Sequence, residues 1–274
     1  MTMTSLLLGL SAVAALVPVA LVPRGMSPQR TDRASPAYWG ALALAVLGPS
    51  AWVLLQQGDG WRTGVAAALW LGVAVSIILF ALLACVSGAM RRLTPILAGY
   101  LVLIGVVALI WEQVPERPLR GSSRPIWLEV HIAVALIAYG LLTLAAVAGI
   151  GAVFQERALR TKHLNGFTRS LPSIAEGERL QTRLLMVVEA LLALALATGV
   201  VINRAAGAGW LVLDHKTVLS LLAFAVIGAL LLLHFRFGLS GRRAARFGLA
   251  AYLLLTLAYP GVKFVTDVVI GRTG

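Results

Sequence analysis

Long apolar stretches follow one another along this chain, and most charged side chains lie in the short gaps between them. A hydrocarbon core about 30 Å thick is crossed by a helix of about 20 residues, and a helix satisfies its own backbone hydrogen bonds in lipid. The pattern therefore predicts an all-α fold, a polytopic integral membrane bundle of about eight helices. The predicted spans are 5–22, 36–56, 64–88, 93–111, 128–153, 183–203, 216–235 and 245–266.

Composition and charge agree with a membrane protein and predict its orientation. Hydrophobic residues make up 59% of the chain and charged residues 12%, against about 25% charged in a soluble domain. Of the 23 Lys and Arg residues, 15 lie in the connections after the odd-numbered spans, which predicts that these connections are cytoplasmic and that both termini lie outside. The uncharged first span lacks the basic start of a secretory signal, so we expect a retained helix.

Several function classes are excluded at this stage. The net charge of +12 is spread over many connections, which does not predict a nucleic-acid partner. Cys85 is the single cysteine and lies in an apolar span, so no disulfide framework or Cys-X-X-Cys pair is possible. No nucleophile, no paired general acid and base, and no phosphate loop is visible, so we do not expect an enzyme. The expected contact partner is membrane lipid, and the Arg242-Arg243 pair is either a lipid anchor or an orientation signal.

The four histidines are the strongest candidates for a binding site. His163 lies in a connection predicted to be cytoplasmic, so we expect it to be a solvated surface residue. His131 and His215 begin the fifth and seventh spans at the outer face, where two neutral imidazoles could bind a metal ion or both axial positions of a haem iron. Alternatively, each ring simply forms hydrogen bonds in the interfacial layer. His234 follows His215 by 19 residues, about 28 Å along a helix, so these two cannot share one iron.

Carboxylates and tryptophans accompany the two outer histidines. Glu129 and Asp214 lie within two residues of them and could orient the rings through the second ring nitrogen. Trp127 and Trp210 also lie near the outer face, either as part of an aromatic belt or as a flat apolar surface for a planar ligand. These residues complete the predicted outer site.

Three further predictions concern residues in and beside the spans. Glu189, about two turns into the sixth span, is expected to pair with Arg183 or a hydroxyl in preference to relaying protons. The cytoplasmic connection 155–182 has mixed charge and is expected to contain an amphipathic helix on the inner leaflet. The small residues from Ala145 to Ala152 are expected to form a close-packing helix face.

Six short motifs in the second half resemble a known family when they are taken together and in order. They are His131–Leu142, Glu178–Leu180, Leu196–Gly199, Leu213–Ser220, Gly238–Ala244 and Leu257–Gly261. The order resembles the cytochrome c assembly transmembrane superfamily of the CcsA/ResC type, and within it the YpjD/HemX-like branch. The resemblance covers about residues 128–266, which predicts a cytochrome c assembly-like domain over 128–274 and a separate four-helix membrane region over 1–127.

The resemblance implies haem handling in the bacterial inner membrane. Full-length members of the superfamily hold haem over a tryptophan-rich segment between two outer histidines, for attachment to cytochrome c. His131 falls at the position of the first outer histidine. His234 falls at a histidine that ends the helix after the tryptophan-rich segment, and so it is a further candidate ligand.

The chain also departs from the pattern of the haem-transferring members. The second outer histidine would fall near Ile270, where none is present, and no histidine precedes residue 131. The tryptophan-rich segment keeps only Trp210 and Asp214, and His215 replaces a proline. We therefore hypothesise that His131 and His215 bind haem b, with Trp210 or Trp127 covering an edge of the ring.

Three functions compete at this point. The first is a haem-binding protein that assists cytochrome c assembly, with haem and cytochrome c maturation proteins as partners. The second is a scaffold or regulator of tetrapyrrole synthesis, or of another membrane complex, without bound haem; the missing tryptophans and histidines favour it. The third is a transporter of a small solute, which only Glu189 and the outer carboxylates support.

Overall fold

The computed structural model describes residues 3–21, 35–56, 64–112, 126–163, 165–205, 207, 214–239, 241–261 and 264–265. All regular structure in these ranges is helical, which confirms the predicted all-α class. The helices are α1 (Met3–Ala14), α2 (Val17–Leu21), α3 (Pro36–Gln56), α4 (Val65–Val86), α5 (Gly88–Arg92), α6 (Thr94–Trp111), α7 (Ile126–Arg160), α8 (Gly166–Ser170), α9 (Ile174–Ala205), α10 (His215–Phe237) and α11 (Gly241–Thr256), and α11 continues into a π-helical turn (Leu257–Gly261).

Six helices within these described ranges are long and apolar enough to cross a membrane, namely α3, α4, α6, α7, α9 and α10. The first predicted span consists of the shorter helices α1 and α2, and the eighth consists of α11 with the π-helical turn. The turn contains Pro260, which has no N–H to donate to a regular helix. The protein is thus a polytopic helical membrane protein, while the count of eight spans and the outer position of both termini stay predictions.

The second half of the chain is organised around the pair α7 and α9, which pack along each other. Small residues permit this close approach: a Cβ atom at Gly177 of α9 would lie 3.2 Å from Ala152 Cβ and 3.4 Å from the carbonyl oxygen of Ala148 on α7. Residues 145–149, 151 and 152 are all buried. The predicted close-packing face is therefore confirmed, and α9 is the helix against which it packs.

The first and second halves meet where α4 and α6 approach α7 and α11. A Cβ atom at Gly140 of α7 would lie 2.7 Å from Leu79 Cδ1 of α4. Nearby, the hydroxyl of Tyr252 on α11 forms hydrogen bonds with the hydroxyls of Tyr100 on α6 and of Tyr139 on α7, the latter at 3.2 Å. Side chains from both halves thus share one core.

The connection 155–182, which the charge pattern predicts to be cytoplasmic, differs from the prediction in its structure. In place of a separate amphipathic helix, the described residues of 155–182 form extensions of α7 and α9 and the five-residue helix α8. The extension of α7 is supported by Glu156, which forms ion pairs with Arg160 at 2.8 Å and with Arg242 of α11 at 3.2 Å. The mixed charge therefore belongs to paired helix ends, and the predicted surface helix was wrong.

Candidate functional site

His131 is held on α7 by a hydrogen bond to α9. Its Nδ1 atom lies 3.0 Å from Thr198 Oγ1, and Thr198 Oγ1 lies 3.0 Å from the carbonyl oxygens of both Leu194 and Ala195. A hydroxyl has one proton to donate, and here the preceding helical turn accepts it. Thr198 Oγ1 is therefore the acceptor of the Nδ1–H group of His131, which leaves the lone pair on Nε2.

In this tautomer the Nε2 atom of His131 carries the lone pair that a metal ion would need. Besides Thr198, the backbone of Ala195 on α9 is a polar neighbour of the ring. The ring is half-buried and lies beside Gly199, where a Cβ atom would be 3.5 Å from Cε1. Metal-binding histidines typically donate the other ring N–H to a fixed acceptor in this way. Sequence reasoning missed Thr198 in this role, although the Thr198-Gly199 pair was part of the recognised motif.

Asp214 begins α10 and acts as its N-cap. Its Oδ1 atom accepts a hydrogen bond of 2.8 Å from the backbone N–H of Thr217. Partial burial opposes ionisation, but the hydrogen bonds from Thr217, together with the charge of Lys216, hold the pKa of Asp214 below its usual value. Asp214 thus has a structural partner of its own in Thr217, and it also interacts electrostatically with His215. That it orients the His215 ring stays a prediction.

An Asp214→Ala variant is expected to lower the free energy of unfolding by about 1 kcal/mol, the usual cost of losing an N-cap. Asp214→Ser keeps a capping oxygen and should unfold close to wild type. Because the pKa is lowered in the folded protein, the contribution of the cap is complete above the unfolded pKa of about 3.9 and is lost as the pH falls through the folded value. Thermal unfolding in detergent at pH 7 and pH 3 measures both effects, and equal stability of the two variants would contradict the capping role.

The structure does not bring all members of the predicted outer site into contact. His215 is exposed on the first turn of α10, and α7 and α10 both pack on α9 and α11. Trp127 and Glu129 are exposed at the start of α7, and the described hydrogen bond of His131 goes to Thr198. Trp210 lies outside the described residues. Among the described residues no group of three or more His, Cys, Asp or Glu side chains could hold a metal ion, so any shared ligand would use two imidazoles.

His234 lies at the other end of α10, beside a small cavity. Its Nδ1 atom donates a 2.7 Å hydrogen bond to the carbonyl oxygen of Leu239, because a carbonyl can only accept. Two glycines with positive φ, Gly238 at 66° and Gly241 at 67°, shape the turn into α11. Glu178 of α9 accepts a 2.7 Å hydrogen bond from the N–H of Gly241. The cavity beside His234 is lined by Glu178, Gln181, Thr182 and Leu185 of α9, Leu231 of α10 and Ala244 of α11.

These helices and histidines define a polytopic membrane protein in which the His131 imidazole is fixed between α7 and α9, and the His234 imidazole lies beside the cavity near the turn into α11. The profile of the family described as "Cytochrome C assembly protein" matches residues 37–270. The chain belongs to this family. The match includes α3, α4 and α6, so it extends beyond the region in which the motifs were recognised.

Three similar proteins give the family context. An "Uncharacterized 28.8 kDa protein in nifR3-like 5'region" of Azospirillum brasilense is 46% identical over 96% of this chain and 97% of its own length. The "Inner membrane protein YpjD" of Escherichia coli is 30% identical over 51% of this chain and 52% of its own length. "Protein HemX" of Brevibacillus brevis is 24% identical over 58% of this chain and 60% of its own length. No solved structure gives a significant match.

Proposed function

We propose that this protein is a non-enzymatic haem-binding protein of the bacterial inner membrane that assists cytochrome c assembly. The observation that carries the proposal is the hydrogen bond that Nδ1–H of the half-buried His131 donates to Thr198, because it leaves the lone pair of the ring on Nε2. Membership of the family and the inner-membrane relative support it. Haem, when bound, would be the cargo that the assembly process attaches to a cytochrome.

Of the two histidines that would hold the haem iron, His131 fits this role closely and His215 fits it less closely. His131 supplies a fixed ring with the lone pair on Nε2. His215 supplies an exposed ring on α10, which packs on the same helix α9 that seats His131. The lack of a described contact between His131 and His215 favours the alternative, a scaffold or regulator that binds no haem. Haem binding by the purified protein separates these two functions.

The test is a haem titration of the full chain in detergent or nanodiscs, followed by absorption spectroscopy. We expect saturation at one haem per chain with a low-spin spectrum, because two imidazoles would complete the iron coordination. The His215→Ala variant should retain haem through His131 but become high-spin. The His163→Ala variant is the matched control, because His163 is exposed in the cytoplasmic connection, and it should match wild type. Absence of saturable binding to wild type would favour the scaffold function.

A further inference from the structure

Glu189 is a carboxyl group inside the membrane-spanning helix α9. Its Oε2 atom is buried and has no hydrogen-bond partner among the described residues. Its Oε1 atom lies 2.8 Å from the position that a Cβ atom of Gly228 on α10 would occupy, so the glycine provides the space for the carboxyl. The partner expected from the sequence, Arg183 or a hydroxyl, is not among its described contacts; Arg183 is exposed.

Charged groups that could neutralise Glu189 lie far along the neighbouring helices. On α9 itself, no other charged residue occurs between Arg183 and Arg204. On the helices packed against α9, the titratable groups nearest in depth are Lys216 and His234 of α10, His131 and Tyr139 of α7, Arg246 and Tyr252 of α11, and Arg92 of α5. Gly228 lies 12 residues from Lys216 and six from His234, which is about 18 Å and 9 Å along the helix. An isolated carboxylate in hydrocarbon is very costly, so this group is stable only with its proton bound.

The cavity beside His234, on the predicted inner side of the membrane, lies on one side of Glu189; it is called the inner cavity below. Thr182 and Leu185, which line the cavity, precede Glu189 by seven and four residues and so lie on the same face of α9. Leu185 is about 6 Å below Glu189 along the axis. The polar lining supplied by Glu178, Thr182 and His234 therefore ends about two helical turns from the carboxyl, with Leu185 between them.

We propose that Glu189 is a proton-binding site within the membrane, which exchanges its proton with the inner aqueous phase through the cavity lined by Glu178, Thr182 and His234. Gly228 keeps the binding site open, and Leu185 separates it from the polar part of the cavity. The site does not depend on haem, because Glu189 and Thr198 are nine residues apart on α9 and face opposite sides of the helix.

Labelling with dicyclohexylcarbodiimide tests the proposal, because this apolar reagent enters the bilayer. The O–H group of a protonated carboxyl adds across a C=N bond of the reagent, and the acyl group then migrates to nitrogen, so that no group leaves. We expect the peptide containing Glu189 to gain the mass of one reagent molecule. The isosteric Glu189→Gln variant should lose this label. The Glu129→Gln variant is the matched control, because Glu129 is an exposed carboxylate at a helix end, and it should be labelled as wild type.

The direction of access is tested in sealed vesicles with the pH set separately on each side. Labelling of Glu189 should slow as the pH on the cytoplasmic side is raised, and it should not respond to sodium chloride. Absence of the label at Glu189 would overturn the proposal, and so would labelling that follows only the outer pH. If sodium ions protected Glu189 from labelling, the site would bind sodium in place of a proton, and the proposal would be wrong. Haem binding by the Glu189→Gln variant should equal that of wild type, so the two proposals fail separately.

Discussion

The His131→Ala variant is expected to lose saturable haem binding altogether, while Thr198→Val is expected to weaken it by about 10–100-fold, the usual cost of removing a partner of a metal-binding histidine. Alanine removes the Nε2 ligand itself. Valine has nearly the shape of threonine but offers no acceptor to the Nδ1–H group, so the ring loses its fixed orientation and tautomer. Haem titration followed at the Soret band measures both dissociation constants.

The Thr198→Ser variant is the matched control, because serine keeps the hydroxyl that accepts from His131. It should recover most of the wild-type affinity and the wild-type spectrum. If Thr198→Val bound haem as tightly as wild type, the positioning role of Thr198 would be wrong even with His131 as the ligand. If His131→Ala bound haem normally, the ligand would lie elsewhere, with His234 at the inner cavity as the next candidate to replace.

The sequence predicts which segments are helices because a helix must be apolar over about 20 residues to cross the bilayer, and such a run is visible in the sequence. Outside the small-residue face of α7, it does not predict which helix faces meet, because lipid is as apolar as a packed leucine and leaves no amphipathic pattern. The partner of His131 shows this limit. Thr198 is 67 residues away in the sequence. Its hydroxyl reaches the ring only because α9 turns this face toward α7.

Other features carried sequence signals that a search for apolar spans overlooks. An aspartate directly before a helical segment is a typical N-cap, because its side chain accepts a hydrogen bond from a backbone N–H of the first turn. Asp214 fits this pattern, which already offers its carboxylate a structural partner. Glu156 and Arg160 are four residues apart, the spacing of an ion pair along a helix. Such a pair indicates that α7 continues beyond its apolar part, which is why the charged connection forms helix ends.

The Gly177→Leu variant is expected to have the largest effect on stability, because the space between α7 and α9 at this position is closed by main chain as well as by Ala152. The carbonyl oxygen of Ala148 belongs to the main chain, so no side-chain rotation can make room for a leucine there. The two helices must separate. Overpacking of this kind costs about 1–3 kcal/mol. Thermal unfolding in detergent should show a clear loss of Tm.

The Gly99→Leu variant provides the matched control for this prediction. Gly99 is exposed on α6, and a Cβ atom there would meet nothing within 4 Å, so a leucine should extend into lipid or detergent and leave Tm nearly unchanged. Equal Tm values for the two variants would show that α7 and α9 are not closely packed at Gly177. Because the same pair of helices holds His131 against Thr198, separation at Gly177 should also weaken haem binding, whereas Gly99→Leu should leave it intact.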